Sequence, residues 1–136
     1  NDGISGASST NIGSGFSNST AIVNGCNEVG IAAELCYNLT KAGYSDWYLP
    51  SQDELNEMYI NKSLINSTSL SNGGYGLNIS DDDDEYWSSS QGGYYDEEIG
   101  EYIQLSEYGF IQRFGDGHQK TWSKDNLACA RAIRKF

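Results

Sequence analysis

A chain of 136 residues is long enough for one domain with a core of its own, and we expect a single domain over residues 1–136. It carries 19 acidic side chains against 8 Lys and Arg, a formal charge of −11 at neutral pH. That charge repels phosphate backbones and anionic headgroups, so nucleic acid and membrane surfaces are excluded as expected partners. Insertion into a membrane is not expected either, because no apolar run approaches ~18 residues.

The composition is that of a loop-rich exported protein. Glycine is abundant at 16 residues and proline nearly absent at 1, while Ser, Asn and Tyr are frequent. The chain starts at Asn1 rather than Met and opens with no signal peptide, so we expect a mature or excised part of a longer protein. Together these features predict a secreted or cell-surface location.

The first part of the chain is expected to be an extended polar segment. Residues 1–19 are mostly Gly, Ser, Asn and Thr with few apolar anchors. A short helical turn is expected over residues 20–24. A more regular helix is expected over residues 29–41, because apolar side chains recur there on one face and Gly43 follows as a C-terminal cap.

Residues 47–55 predict a short strand, a corner and the start of a helix. Apolar and polar side chains alternate before Pro50, which ends the strand. Ser51 and Glu54, three residues apart, predict a capping box at the start of the helix. The apolar face of that helix is formed by side chains at i, i+3 and i+4, namely Leu55, Met58 and Tyr59. We expect this stretch to be scaffold rather than binding surface.

The second half of the chain changes from loop to strands. Residues 61–80 lack a steady apolar period and predict a long surface loop. Strands are then expected at 86–90, 101–105, 110–114, 118–122 and 129–134, and the turn of a hairpin at residues 106–109. Early helices followed by a late antiparallel sheet predict an α+β domain.

Three motifs resemble, in order, the signature of a known family. They are Trp47-Tyr48-Leu49-Pro50-Ser51 with Asp53-Glu54-Leu55, then Tyr86-Trp87-Ser88-Ser89-Ser90, then Ala130-Arg131-Ala132-Ile133-Arg134-Lys135-Phe136. These are similar to the W-x-L-P-(S/T)-x-x-E-L, Y-W-S-S-(S/T) and V-R-A-V-R-A-F motifs of the bacterial surface domain that ends collagen-like adhesins. The resemblance implies a C-type-lectin-like fold, with two helices in the N-terminal half and a twisted antiparallel sheet with long loops in the C-terminal half.

The resemblance also raises the question of what pairs with the last strand. In lectin-like folds the first strand pairs with the last, and family members carry further strands before the position of Asn1. Either residues 1–16 fold back as that strand, or another segment, of the same or a second molecule, covers the edge.

Two of the three cysteines are expected to form a disulfide. Gly25 and Gly30 predict a turn between Cys26 and Cys36, which would bring the two sulfurs together in an oxidising compartment. The alternative is two buried thiols on neighbouring turns. Cys129, in the closing strand, is expected to be a small buried residue.

A run of five carboxylates is the sharpest local feature of the sequence. Adjacent carboxylates repel one another by about 1 kcal/mol per close pair in water, so they either point into solvent or share a cation. Calcium suits such a loop, because it accepts carboxylate and carbonyl oxygens in flexible geometry. Both a solvated acidic loop and a calcium site remain open. The metal ligands in the second case are Asp81, Asp82, Asp83, Asp84 and Glu85.

Aromatic side chains crowd the sheet half and predict a ligand-binding surface. Tyr and Trp supply rigid contact area at small entropic cost, which suits stacking on sugar rings or gripping a peptide. The alternative is that about half of them belong to the core. The expected ligand-binding residues lie in Gly- and Asp-rich turns and are Tyr94, Tyr95, Tyr108, Trp122 and Asp96.

Catalytic groups are scarce, so we do not expect an enzyme. His118 is the only histidine and lies in a Gly-Asp-Gly-His turn, with no nucleophile elbow and no zinc-ligand spacing nearby. The expected function is therefore a non-enzymatic module of a bacterial surface or secreted protein that binds a glycan or another surface ligand. The alternative is a structural subunit that forms homo-oligomers by strand exchange through its N-terminal segment.

Overall fold

The computed structural model describes residues 3–79 and 84–135, which form helices first and most of their strands later. The helices are α1 (Gly15–Gly25), α2 (Ala32–Tyr37), α3 (Gln52–Ile60) and α4 (Lys62–Ser71). The strands are β1 (Trp47–Tyr48), β2 (Glu85–Asp96), β3 (Glu101–Arg113), β4 (Gln119–Ser123) and β5 (Ile133–Arg134). The chain is therefore an α+β protein, as its sequence predicts.

The strands form two antiparallel sheets. β1 and β5 make a two-stranded sheet in which Tyr48 pairs with Ile133. The larger sheet has the order β2-β3-β4. The last strand therefore pairs with β1, and the described residues 3–16 contribute no strand to either sheet.

The corner between β1 and α3 has the predicted capping box. The Ser51 side chain accepts a hydrogen bond from the Glu54 backbone N–H at 3.3 Å, and the Glu54 carboxylate accepts one from the Ser51 N–H at 2.8 Å. Both orphan donors at the start of the helix are thereby satisfied. This exchange fixes the direction in which α3 leaves the corner.

The apolar core lies in two clusters on either side of this corner. In the first, Leu55 and Met58 of α3 pack with Tyr86 of β2 and with Phe114, and the Tyr86 and Phe114 ring centroids are 4.6 Å apart. The second joins α2 to the end of β1 through its buried residues Ala33, Cys36 and Leu49. The helical half and the larger sheet are therefore joined through α3.

The N-terminal residues are less extended than their composition predicts. Helix α1 already begins at Gly15, and the residues before it lie against the corner and β2. The carbonyl oxygens of Ala7, Thr10 and Asn11 accept hydrogen bonds from the Gln91 N–H at 2.8 Å, the Asp53 N–H at 2.9 Å and the Ser51 hydroxyl at 2.8 Å. The segment is held by its own domain.

The expected loop over residues 61–80 is wrong in its first half, where α4 occupies Lys62–Ser71, while residues 72–79 form no helix or strand. No residue of this helix is buried, so no apolar stripe marks it in the sequence. The half-buried Ile65 packs against the first core cluster, and Lys62 also anchors the helix. The Lys62 ammonium donates to the Phe114 carbonyl at 3.0 Å and lies 4.0 Å from the centre of the Tyr59 ring. Helix α2 is shorter than expected and ends before Asn38.

The predicted hairpin turn at residues 106–109 is also wrong. β3 runs through this segment without reversing, and the turn to β2 lies at residues 97–100. The Gly100 N–H donates there to the Asp96 carbonyl at 2.8 Å. Residues 105–108 instead form a bulge, because Gly93 pairs with Gln104 while Gln91 pairs with Gly109. The Gly109 signal therefore marks a bulge and not a turn.

Candidate functional site

Beyond the bulge, β2 and β3 continue as a two-stranded ribbon over residues 93–104. β4 pairs only with residues 108–112, so it does not extend along the ribbon. The cross-strand pairs are Gly93 with Gln104, Tyr94 with Ile103, Tyr95 with Tyr102, and Asp96 with Glu101. The ribbon thus has two faces with side chains, and none of the other described strands pairs with it.

The register assigns different chemistry to the two faces. Cross-strand partners share a face and successive residues alternate, so every second pair lies on the same side. The tyrosine face carries Tyr95, Tyr102 and Gln104, with Gly93 beneath them. The opposite face, here called the carboxylate face, carries Tyr94, Ile103, Asp96 and Glu101. Aromatic and uncharged polar groups are therefore separated from the acidic ones.

The tyrosine face continues into the three-stranded part of the sheet through ring contacts. The ring centroids of Tyr102 and Phe110 are 6.5 Å apart and their planes differ by 19°. A Cβ atom on Gly93 would lie 2.9 Å from Cε1 of Tyr102, so the ring leans over a position that only glycine leaves open. Tyr95, Tyr102 and Phe110 are called the aromatic row.

The two tyrosine rings of the row are exposed to solvent. Tyr95 is 61% exposed and Tyr102 45% exposed, while Phe110 is half-buried. Partial burial raises the pKa of the Tyr102 hydroxyl above its ordinary value, so the hydroxyl stays protonated at neutral pH. Each tyrosine can therefore offer a ring face together with a hydroxyl that donates and accepts hydrogen bonds.

Of the predicted ligand-binding residues on the ribbon, only Tyr95 lies in the aromatic row. Tyr94 is exposed on the carboxylate face. Asp96 shares that face, and its carboxylate accepts hydrogen bonds from the Glu98 N–H at 2.9 Å and the Ile99 N–H at 3.3 Å. These bonds give Asp96 a structural role in the turn.

The other two predicted residues lie in the three-stranded part of the sheet. Tyr108 pairs with Ser123 and Gly109 with Trp122, so Tyr108 and Trp122 lie on opposite faces. Trp122 is half-buried, and the Lys120 ammonium is 3.8 Å from the centre of its ring. By the same register Tyr108 lies on the face that carries Phe110, so Tyr95 and Tyr108 share the tyrosine face while Tyr94, Asp96 and Trp122 do not.

Tyr102 and Phe110 are the functional candidates that the sequence did not reveal. Their place in the row depends on the register of β2 against β3, which the misplaced turn concealed. One signal was present, because Tyr95 and Tyr102 flank a six-residue stretch, residues 96–101, that contains Gly100 and suits a hairpin turn. A turn placed there would have paired the two tyrosines.

The structure describes two of the five predicted calcium ligands, Asp84 and Glu85. Asp81, Asp82 and Asp83 lie outside the described residues. The Glu85 carboxylate is buried and forms an ion pair with the Lys120 ammonium at 2.7 Å. Across residues 3–79 and 84–135, three or more His, Cys, Asp or Glu side chains do not converge on a metal position. Calcium binding by Asp84 and its neighbours stays a prediction.

The three cysteines are free thiols in the structure, so the expected bond between Cys26 and Cys36 is not formed in it. Burial raises the pKa of the Cys36 thiol to about 11 and also raises that of Cys129. A raised pKa keeps a thiol protonated and weakly nucleophilic. Cys129 is half-buried and its backbone pairs with Glu85 and Trp87, so its role here is structural.

Two cavities lie in the helical half of the domain, away from the aromatic row. One of about 80 Å³ is lined by α1 and the segment before α2, and includes Val23, Cys26 and Ile31. The other, of about 290 Å³, lies between the start of α1 and β1 and includes Phe16, Tyr48 and Lys135. His118 is exposed in its turn and lines neither cavity.

None of the protein-family models, curated proteins and solved structures compared with this chain matches it. A lectin-like fold and a relation to the collagen-like adhesin domain therefore stay predictions from the three sequence motifs. In the described part of the chain, the helices are too short or too polar to cross a membrane.

Proposed function

We propose that the protein is a non-enzymatic module of a bacterial surface or secreted protein, and that it binds uncharged glycans through the aromatic row. The observation that carries this proposal is the pairing of exposed Tyr95 with exposed Tyr102 on one face of the ribbon, continued by Phe110. Such a row offers rigid, amphipathic contact area that is fixed before any ligand arrives.

The chemistry of the face matches that of a sugar ring. A pyranose has an apolar face of C–H bonds and a rim of hydroxyl groups. Tyr95 and Tyr102 supply flat apolar rings for the first, and their hydroxyls with the exposed Gln104 amide supply hydrogen-bonding groups for the second. An apolar protein partner would leave the Gln104 amide without a hydrogen bond, which is costly at an interface.

The surrounding charge favours a neutral ligand. The ribbon tip carries Asp96, Glu97, Glu98 and Glu101, and the whole chain has a formal charge of −11. A sulfated or uronic-acid glycan would approach against this field. The tyrosine face itself presents uncharged groups, so a neutral sugar meets no such penalty.

The structure gives less support to the alternative of a subunit that assembles by strand exchange. Exchange would have to break the hydrogen bonds by which Ala7, Thr10 and Asn11 hold the N-terminal segment to its own domain. Size-exclusion chromatography with light scattering separates the two proposals. A concentration-dependent dimer that disappears when residues 3–14 are deleted would favour strand exchange.

A glycan array tests the proposed function directly. The labelled domain is applied to neutral, sialylated and sulfated glycans, once with calcium and once with a chelator. We expect saturable binding to neutral glycans in both conditions, because the aromatic row contains no carboxylate. Binding only with calcium would instead implicate the acidic run at residues 81–85. No saturable binding in either condition would contradict the proposal.

A further inference from the structure

The three rings of the aromatic row follow one another along the ribbon. Tyr95 and Tyr102 lie directly opposite each other on neighbouring strands, but their rings extend in different directions. The Tyr95 hydroxyl lies toward the ribbon tip, 3.8 Å from the place that a Cβ atom on Gly100 would take. The Tyr102 ring lies over Gly93, toward the base of the ribbon. Phe110 is the next ring of the row, and its centroid is 6.5 Å from that of Tyr102. The near-parallel planes of Tyr102 and Phe110 present their faces in similar directions. The rings are thus arranged in a line and not around a cavity.

Among the described residues, neither of the two cavities is lined by a residue of the aromatic row. Beneath it, Gly92 and Gly93 have no side chains, and both described cavities lie in the helical half. Recognition of a terminal sugar needs a pocket that closes around it and excludes a further unit. An open line of rings accepts a chain that continues past both of its ends.

We propose that the aromatic row binds the internal part of an extended, uncharged polysaccharide, with one sugar unit on each ring. This inference rests on the proposed function, because it names the glycan class for the same face. Three rings define three subsites, which are occupied together only by a chain of three or more units. The chain direction follows the ribbon, so a linear polymer fits better than a branched one.

The expected binding behaviour follows from the number of rings. Each additional stacked unit raises the affinity by roughly two- to tenfold, the range expected when one more aromatic contact forms. Affinity therefore rises from one unit to three and then stays nearly constant, since the row has three rings among the described residues. A terminal-sugar site would show the opposite pattern, with a single unit binding nearly as tightly as the chain.

The test uses soluble neutral polysaccharides as probes. The domain is run in native gels that contain hydroxyethylcellulose, mixed-linkage β-glucan, galactomannan or arabinoxylan, and retardation identifies the polymer that binds. Oligosaccharides of one to five units from that polymer are then titrated by calorimetry. We expect retardation by at least one polymer, no saturation by the single sugar, and a plateau of affinity from three units onward.

Two single variants on the ribbon sharpen the result. Tyr95→Ala removes the outermost ring, which is largely exposed, so we expect an unchanged melting curve and a plateau that begins at two units. Tyr94→Ala removes a similarly exposed ring from the carboxylate face and should leave the plateau at three units. A plateau that Tyr95→Ala does not move overturns the assignment of subsites.

The outcomes separate this inference from the function on which it rests. A single sugar that binds as tightly as three units, alongside saturable array binding, overturns the inference and leaves the proposed function standing. No retardation by any polymer together with no array binding overturns both.

Discussion

The backbone N–H of Ser89 donates a hydrogen bond to the carbonyl oxygen of Pro50 at 2.7 Å. This bond joins the middle of β2 to the corner that starts α3. Next to it, the Gln52 N–H donates to the Ser90 hydroxyl at 3.0 Å, and the Ser88 hydroxyl donates to the Phe110 carbonyl at 2.9 Å. The three serines therefore connect the scaffold corner to the base of the aromatic row.

Ser90→Ala should destabilise the domain through its hydrogen bonds. The buried hydroxyl accepts from the Gln52 N–H and donates to the Ser9 carbonyl at 2.8 Å. Its loss leaves the Gln52 N–H without this partner, while the Ser9 carbonyl keeps the hydrogen bond from the Asn18 amide at 2.7 Å. We expect the free energy of unfolding in urea to fall by about 1–3 kcal/mol. Ser17→Ala is the control, because its hydroxyl is exposed and bonds only the Ser14 carbonyl. Equal effects of the two substitutions would contradict the account.

Substitution by alanine should destabilise the fold strongly at Gly15 of α1 and only slightly at Gly25 of the same helix. A Cβ atom on Gly15 would contact the Glu54 carboxylate and lie 2.8 Å from the Ser51 nitrogen and 2.9 Å from the Leu49 oxygen, so Gly15→Ala should cost at least about 2 kcal/mol. At Gly25 the added atom would meet only two methyl groups of the Ile4 side chain, at 3.3 and 3.4 Å, and we expect a change within about 1 kcal/mol. Thermal unfolding of both variants measures the difference, and a tolerated Gly15→Ala would place α1 differently.

Ala42 is strained and offers a stabilising substitution. It has φ +55° and precedes Gly43 with φ +80°, and Lys41 and Tyr44 exchange two backbone hydrogen bonds around them. Both φ values suit a two-residue turn in which Asn-Gly is preferred. Ala42→Asn should raise the free energy of unfolding by about 0.5–1 kcal/mol, and Ala42→Val should lower it, because a β-branched residue tolerates positive φ poorly. A stabilising Ala42→Val would show that the turn has another shape.

The ion pair between the two short strands predicts a local pH dependence. Hydrogen bonds from the Arg134 guanidinium at 2.9 Å hold the pKa of the Asp46 carboxyl below its ordinary value, and Arg134 also lies 3.5 Å from the Tyr44 ring centre. A lowered folded-state pKa stabilises the fold above the ordinary value, and the contribution disappears as the pH falls through the lowered one. Acid should therefore weaken the pairing of β1 with β5.

NMR titration of the Asp46 carboxyl carbon measures this effect. We expect Arg134→Gln to return the Asp46 pKa toward its ordinary value. Asp116 is an internal control, because the His118 backbone N–H and the Arg113 side chain lower the pKa of its carboxyl. Its titration should not respond to Arg134→Gln. An Asp46 pKa that also fails to respond would mean that the ion pair is absent in solution.

The local elements were predictable where a few neighbouring residues determine them. The capping box of α3 depends on Ser51 and Glu54 alone, and the structure has it as expected. Helix α4 was missed because none of its residues is buried, so it has no apolar stripe to detect. A short stretch of sequence thus predicts a helix when that stretch contains a capping motif or an apolar face.

The candidate site was not predictable, because it depends on long-range register. Residues 88–90 lie opposite Phe110 alone, and residues 105–108 lie opposite Gly92 alone. Each bulge shifts the pairing of every residue beyond it, and a shift by one residue exchanges the two faces. The sequence indicated that Tyr95 is exposed, but it did not show that Tyr102 shares its face while Tyr94 does not.

Substituting one tyrosine from each face of the ribbon shows which face binds the glycan. Tyr102→Ala and Tyr94→Ala are titrated against the tightest neutral glycan from the array, with melting curves to confirm that both remain folded. We predict that Tyr102→Ala weakens binding by about tenfold or more, since it removes the middle ring of the row, and that Tyr94→Ala binds as the unmodified domain does. Loss of binding in Tyr94→Ala with full binding in Tyr102→Ala would contradict the account.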